Sequence, residues 1–249
     1  MNAVVFLGPT LSVEAARREL DAEYLPPVAQ GDVLAALASG PRAIGIIDGF
    51  FERVPSVWHK EILYALESGC HVFGASSMGA LRAAELHDFG MRGVGEIFTA
   101  YRDGVLEDDD EVAVLHGDAD SGYREMSDAM VNIRDVVVRA QGAGSFDRAI
   151  ADGLLRAVKA MHYPERSFRA VTALMRQGGL PETVIGDFES LVLRTIPSKR
   201  RDAVALLGEM RRFLETDPPP NVPSFRVEPT VFFEALRADV GARTPRAGT

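Results

Sequence analysis

Three short, nearly continuous apolar runs, at residues 3–7, 43–47 and 71–73, alternate with stretches whose apolar positions recur at helical spacing. Runs of this length without polar alternation suit strands covered on both faces, as in a parallel sheet. Gly8-Pro9-Thr10 interrupts the pattern after the first run, and Ser12 is placed to cap a helix with Val13, Ala16 and Leu20 on one face. Residues 24–28 contain Pro26-Pro27 and read at best as an edge strand, and 32–37 read as a short helix stopped by Gly40-Pro41. Asp48-Gly49 ends the second run. Ser56 then reads as the cap of a helix over 57–68, closed by Gly69. The third run passes through Gly74-Ala75-Ser76-Ser77-Met78-Gly79 into a helix over 78–87. The β-α-β-α alternation predicts an α/β fold, its largely parallel sheet flanked by helices and joined by right-handed crossovers.

Beyond residue 90, Gly93 and Gly95 open a helix through Tyr101, and an acidic loop, 107–111, precedes a further expected strand over 112–115. From 123 to about 215 the spacing is helical in pieces, broken at 142–144, Pro164, 178–181 and Pro197. Asp217-Pro218-Pro219-Pro220 reads as a stiff linker before a short docking helix around Phe232, Phe233 and Leu236, with a disordered tail after it. The expected organisation is an α/β core over 1–120, a helical region over 121–216, and a linker, helix and tail over 217–249.

Composition narrows the function classes. The chain has 249 residues, 47% hydrophobic, enough for a full core. Its net charge of −9 argues against general nucleic-acid binding, which depends on phosphate neutralisation. No apolar run is long enough to span a bilayer, and the start reads as a core strand rather than a leader. The lone Cys70 excludes an internal disulfide. These features together point to the cytoplasm.

The chemistry gathers at one edge of the sheet. Parallel strands deliver their C-terminal ends to the same side, where the following helices begin and ligands bind. Pro9 and Thr10, Asp48 and Ser77 all follow strands in this way. The turn 74–79 resembles a nucleophile elbow, and Ser77 has the better spacing, with Ala75 before it and Gly79 after it; Ser76 is followed two residues on by the larger Met78. With Ser56 as cap, Lys60 lies one turn into its helix, close to the same edge. A serine needs a base to take its proton, and a lysine beside the apolar Phe50, Phe51 and Trp58 could serve once burial favours its neutral amine. Asp48 would weaken that role if it touched Lys60. The N–H groups of Met78 and Gly79, with the Thr10 loop, are candidates to hold an oxyanion, and Arg82 to steer a substrate carboxyl end or pair with Glu85. Each residue also has a plain structural reading: a helix cap for Ser77 or Thr10, a surface lysine, a turn at Asp48-Gly49. His59 points about 100° away from Lys60 around the helix. The acidic run lacks EF-hand spacing and reads as a solvated loop or partner contact.

The segments Gly8-Pro9-Thr10-Leu11, Ile46-Ile47-Asp48-Gly49, His59-Lys60-Glu61-Ile62-Leu63, the run from Gly74 to Leu86 and Asp109-Asp110-Glu111-Val112-Ala113 resemble the TfuA family over residues 3–120. The resemblance implies a partner of YcaO-type enzymes in peptide backbone thioamidation. It implies hydrolysis of the C-terminal thiocarboxylate of a ThiS-like ubiquitin-fold sulfur carrier, which supplies sulfide to the YcaO enzyme and its peptide substrate. It also implies a Ser–Lys pair at Ser77 and Lys60, and an unusual sheet arrangement. No cofactor and no metal are expected. The alternative is a non-catalytic adaptor that brings the YcaO enzyme to its peptide, with Asp109, Asp110 and Glu111 as a contact surface.

Overall fold

A computed structural model describes residues 2–52 and 54–243. The chain divides into two compact units: Met1–Val105 together with Asp202–Thr249, and Leu106–Arg201.

The first unit is built on a five-stranded, all-parallel sheet. Its strands are β1 (Ala3–Phe6), β2 (Glu23–Leu25), β3 (Ala43–Ile46), β4 (His71–Gly74) and β5 (Arg92–Gly93), in the order β2-β1-β3-β4-β5. This is a doubly wound order, with its reversal point between β1 and β3. The arrangement is therefore an ordinary doubly wound one in place of the unusual arrangement expected. The two central strands are apolar throughout because both faces are covered: β1 and β3 are buried at every position. On one face Val5, Ala43 and Phe73 pack with Ala16 and Leu20 and with Leu206, Leu207 and Met210 of the long helix Ser198–Glu215. That helix belongs to this unit from Asp202 onward.

The connecting helices are α1 (Val13–Arg17), α2 (Asp32–Ala36), α3 (His59–Glu67), α4 (Met78–Leu86) and α5 (Glu96–Arg102). Ser12 caps α1, its Oγ accepting from the Ala15 N–H at 3.2 Å. The expected Ser56 cap is not there. The helix starts at His59, Ser56 Oγ donates to the Phe50 carbonyl at 2.7 Å, and the Trp58 N–H is taken by Glu61 Oε1 at 3.0 Å. Glu61, three residues into the helix, takes the N–H of the capping residue Trp58, while the Ser56 hydroxyl is used two residues earlier to hold the loop.

The strand expected over 112–115 is not formed. Val112 and Ala113 are buried in the second unit, and the Val112 carbonyl accepts from the buried Lys199 Nζ at 3.1 Å. A lysine satisfies there what a neighbouring strand would have satisfied. The sheet's last strand is β5 instead, two residues long and unforeseen.

The second unit packs α6 (Met130–Gly142), α7 (Arg148–Lys159), α8 (Phe168–Gln177) and α9 (Glu182–Arg194) around Ile133, Val137, Leu154, Val171, Met175 and Phe188. The long helix Ser198–Glu215 is α10. In the first unit, α11 (Val231–Arg243) is longer than the short helix expected and buries Phe233 against the Tyr64 ring, centroids 5.7 Å apart. The expected disordered tail falls on 244–249, outside the described residues.

Candidate functional site

The turn 74–79 is shaped by two glycines. A Cβ on Gly79 would stand 1.8 Å from the Ile46 carbonyl oxygen, and one on Gly74 would stand 2.1 Å from that of Gly79. Only residues without a side chain let α4 press this closely on β3 and β4. The tight passage forces Ser76 to φ +71°, the left-handed region that an L-residue with a side chain rarely occupies. Ser77 follows with φ −111° and ψ −120°, and its side chain does not cap α4. Strain at the serine of a strand-to-helix turn is the mark of a nucleophile elbow, and it falls on Ser76.

The ends of β1 and β3 complete the site at the reversal point of the sheet. Asp48, 2% exposed, accepts the Gly8 and Thr10 N–H groups on Oδ2, at 2.9 and 3.1 Å. Its Oδ1 accepts the Thr10 hydroxyl at 2.6 Å. Thr10 Oγ1 in turn stands 3.4 Å from Ser76 Oγ. Because the single Thr10 proton is committed to Asp48, Ser76 is the donor in that contact. Thr10, Ser76 and Ser77 are all buried. The structure thus brings Thr10, Asp48 and the serine turn together.

Lys60 goes elsewhere. Its Nζ donates to Thr230 Oγ1 at 3.1 Å and lies 5.7 Å from the Phe233 ring centroid, against α11. Gly79 is likewise engaged, its N–H donating to the Ile47 carbonyl at 3.3 Å, as does the Ser77 N–H at 3.3 Å. The Met78 N–H lies at the start of α4, one residue after Ser77. Arg82 ties α4 to the segment just before α3: Nε donates to the Val57 carbonyl at 3.2 Å, and Nη1 donates to Glu85 of its own helix at 2.7 Å. Glu85 also meets His59 Nε2 at 2.7 Å. These bonds give Arg82 a structural task, which includes the Glu85 pairing that was one of its two expected roles.

The acidic run is also engaged from within. Lys159 Nζ contacts Asp110 and lies 3.0 Å from both Asp108 and Glu111. Glu111 is buried and holds Arg134 by two bonds of 2.8 Å. Arg166, fully buried, donates to Asp110 Oδ2 at 2.6 Å and to the Asp110 carbonyl at 2.8 Å. Burial would raise the Asp110 and Glu111 carboxyls, but these cations reverse that and hold both below their ordinary range. Asp108, Asp110 and Glu111 have the spacing of a cation site, yet Lys159 supplies the positive charge. Asp109 alone of the three expected contact residues is exposed and outside these pairs. Cys70 is buried, its thiol pushed up to about 12 by desolvation, as suits a small core residue.

A doubly wound α/β unit carrying a strained serine turn at its carboxyl edge defines the class. Residues 48–167 match the TfuA family, described as TfuA-like protein, and that match supports assigning the chain to the TfuA-like family. The match opens on Asp48 and includes the serine turn; Thr10 lies before it. The family is linked to YcaO-associated thioamidation, which supports a role for this chain in such a system. No curated protein matches the chain. Among the described residues, no helix is long and apolar enough to cross a membrane.

Proposed function

We propose that this chain hydrolyses the C-terminal thiocarboxylate of a ThiS-like, ubiquitin-fold sulfur carrier and so provides sulfide to a YcaO-type enzyme that thioamidates a peptide. A serine of the 76–77 pair attacks the thioacid carbon, hydrosulfide leaves, and water releases the carboxylate. The observation that carries the reading is the strained serine turn at the head of α4, beside buried Thr10 and Asp48. The extended tail of a ubiquitin-like carrier is a suitable substrate for an edge crevice, since its last atoms can enter where a folded surface cannot. In the Ser–Lys version of this reading, Lys60 must exchange Thr230 for Ser77 when substrate binds. The adaptor reading loses most of its proposed surface, because Asp110 and Glu111 are spent on Lys159, Arg166 and Arg134.

The test is sulfide release from carrier thiocarboxylate, comparing the unaltered chain with a Ser76→Ala, Ser77→Ala double variant. Release by the first and none by the second is expected. Equal release from both would overturn the proposal.

A further inference from the structure

We propose that Ser76 is the attacking serine and that Thr10 and Asp48 carry its proton. The inference rests on the hydrolase reading above and names the machinery within it. Its basis is the directed chain Ser76 Oγ to Thr10 Oγ1 to Asp48 Oδ1, with separations of 3.4 and 2.6 Å. The polarity of that chain is fixed. Asp48 offers only acceptors, two N–H groups already hold its Oδ2, and Thr10 spends its proton on Oδ1, leaving its lone pairs toward Ser76. The longer link is of the kind that tightens when substrate binds. Lys60, held by Thr230, is not needed for this route.

In the acylation step Ser76 Oγ forms a bond to the thioacid carbon while its proton passes to Thr10 and the Thr10 proton passes to Asp48. The carbon–sulfur bond then breaks with its electron pair on sulfur. The proton returns along the chain to that sulfur, so the leaving group departs as hydrosulfide and not as the dianion. Water attacks the Ser76 ester, giving up one proton by the same route to restore the hydroxyl, and releases its other proton as the carrier carboxylate forms. Atoms and charge balance with water as the sole co-reactant. Ser76 has no exposed surface in the free protein, so the carrier tail has to open its cover on entering. Asp48, acting through Thr10, is a positioning residue.

Five single variants are measured for sulfide release from carrier thiocarboxylate, and the wild-type chain is treated with a fluorophosphonate that marks activated serines. Ser76→Ala should lose at least about 10³-fold in kcat, Ser77→Ala should stay active, and the fluorophosphonate should map to Ser76. Asp48→Asn keeps the shape and the N–H acceptor but turns the chain around, making Thr10 a donor toward Ser76. It should lower kcat about 100-fold with KM unchanged. Thr10→Val should do the same and Thr10→Ser should restore the rate, a rescue that a purely structural role would not show. Label on Ser77, or a Ser76→Ala chain of normal rate beside an inactive Ser77→Ala chain, would overturn this inference and leave the hydrolase reading standing. Full activity in the Ser76→Ala, Ser77→Ala double variant would bring down both. Should Ser76→Ala fail to fold, the label on the wild-type chain still decides.

Discussion

Ser76 occupies a backbone conformation that costs an L-residue about 1–2 kcal/mol, and it does so inside a buried turn. Replacing it by glycine should therefore raise the stability of the chain by about 1 kcal/mol in urea unfolding while ending sulfide release. The opposite result is expected at Gly79. An alanine there meets the Ile46 carbonyl oxygen at 1.8 Å, against backbone that cannot swing aside, and should cost about 3 kcal/mol or more. The hexapeptide made this turn legible, down to the glycine that closes it. Which serine bears the strain was not legible, because spacing rules favoured Ser77 while φ is set by how closely α4 crosses β3. The direction of the Lys60 amine was hidden for a similar reason: its partner Thr230 lies 170 residues further along the chain.

Elements in this protein are joined by carboxylates used as caps and clamps. Glu61, wholly buried, accepts the Trp58 N–H at one end of α3 and the Gly31 N–H before α2, at 2.8 Å. Desolvation outweighs those bonds and pushes its carboxyl up to about 7 from 4.5. Between those two values the folded chain keeps a proton that the unfolded chain has released. Stability should therefore fall by roughly 3 kcal/mol as pH rises through that window, then level off. Glu61→Gln should abolish that slope in chemical denaturation. The acidic run behaves oppositely. Asp110 and Glu111 are held below their ordinary range, so their contribution is complete above the unfolded values and is lost as pH falls through the folded ones. Divalent cations should leave the melting temperature unchanged, since Lys159 already neutralises the three carboxylates. A clear rise with magnesium or calcium would contradict that.

At the scale of the whole molecule, each unit buries a core of its own, one on the sheet and one among α6 to α9. Arg166, hydrogen-bonded to three carbonyls and to Asp110, ties the second of them together. Arg166→Met should leave three carbonyls without their donor and the part-exposed Asp110 carboxylate with less compensation, and cost about 3 kcal/mol. Hydrogen exchange should show the loss in residues 106–201, with the amides of β1, β3 and β4 keeping their protection. The parallel α/β unit, the helical stretch, the strand ends carrying Thr10 and Asp48, and the serine turn could all be read from the order of residues. Those follow from local periodicity and from the rule that parallel strands end on one edge. It took the folded chain to show that β5 rather than 112–115 completes the sheet, that α3 begins after Ser56, that Lys60 faces α11, and that Thr10 links Asp48 to Ser76. Each of those depends on which distant group satisfies a hydrogen bond or fills a space, and no local pattern of apolar and polar residues encodes that choice.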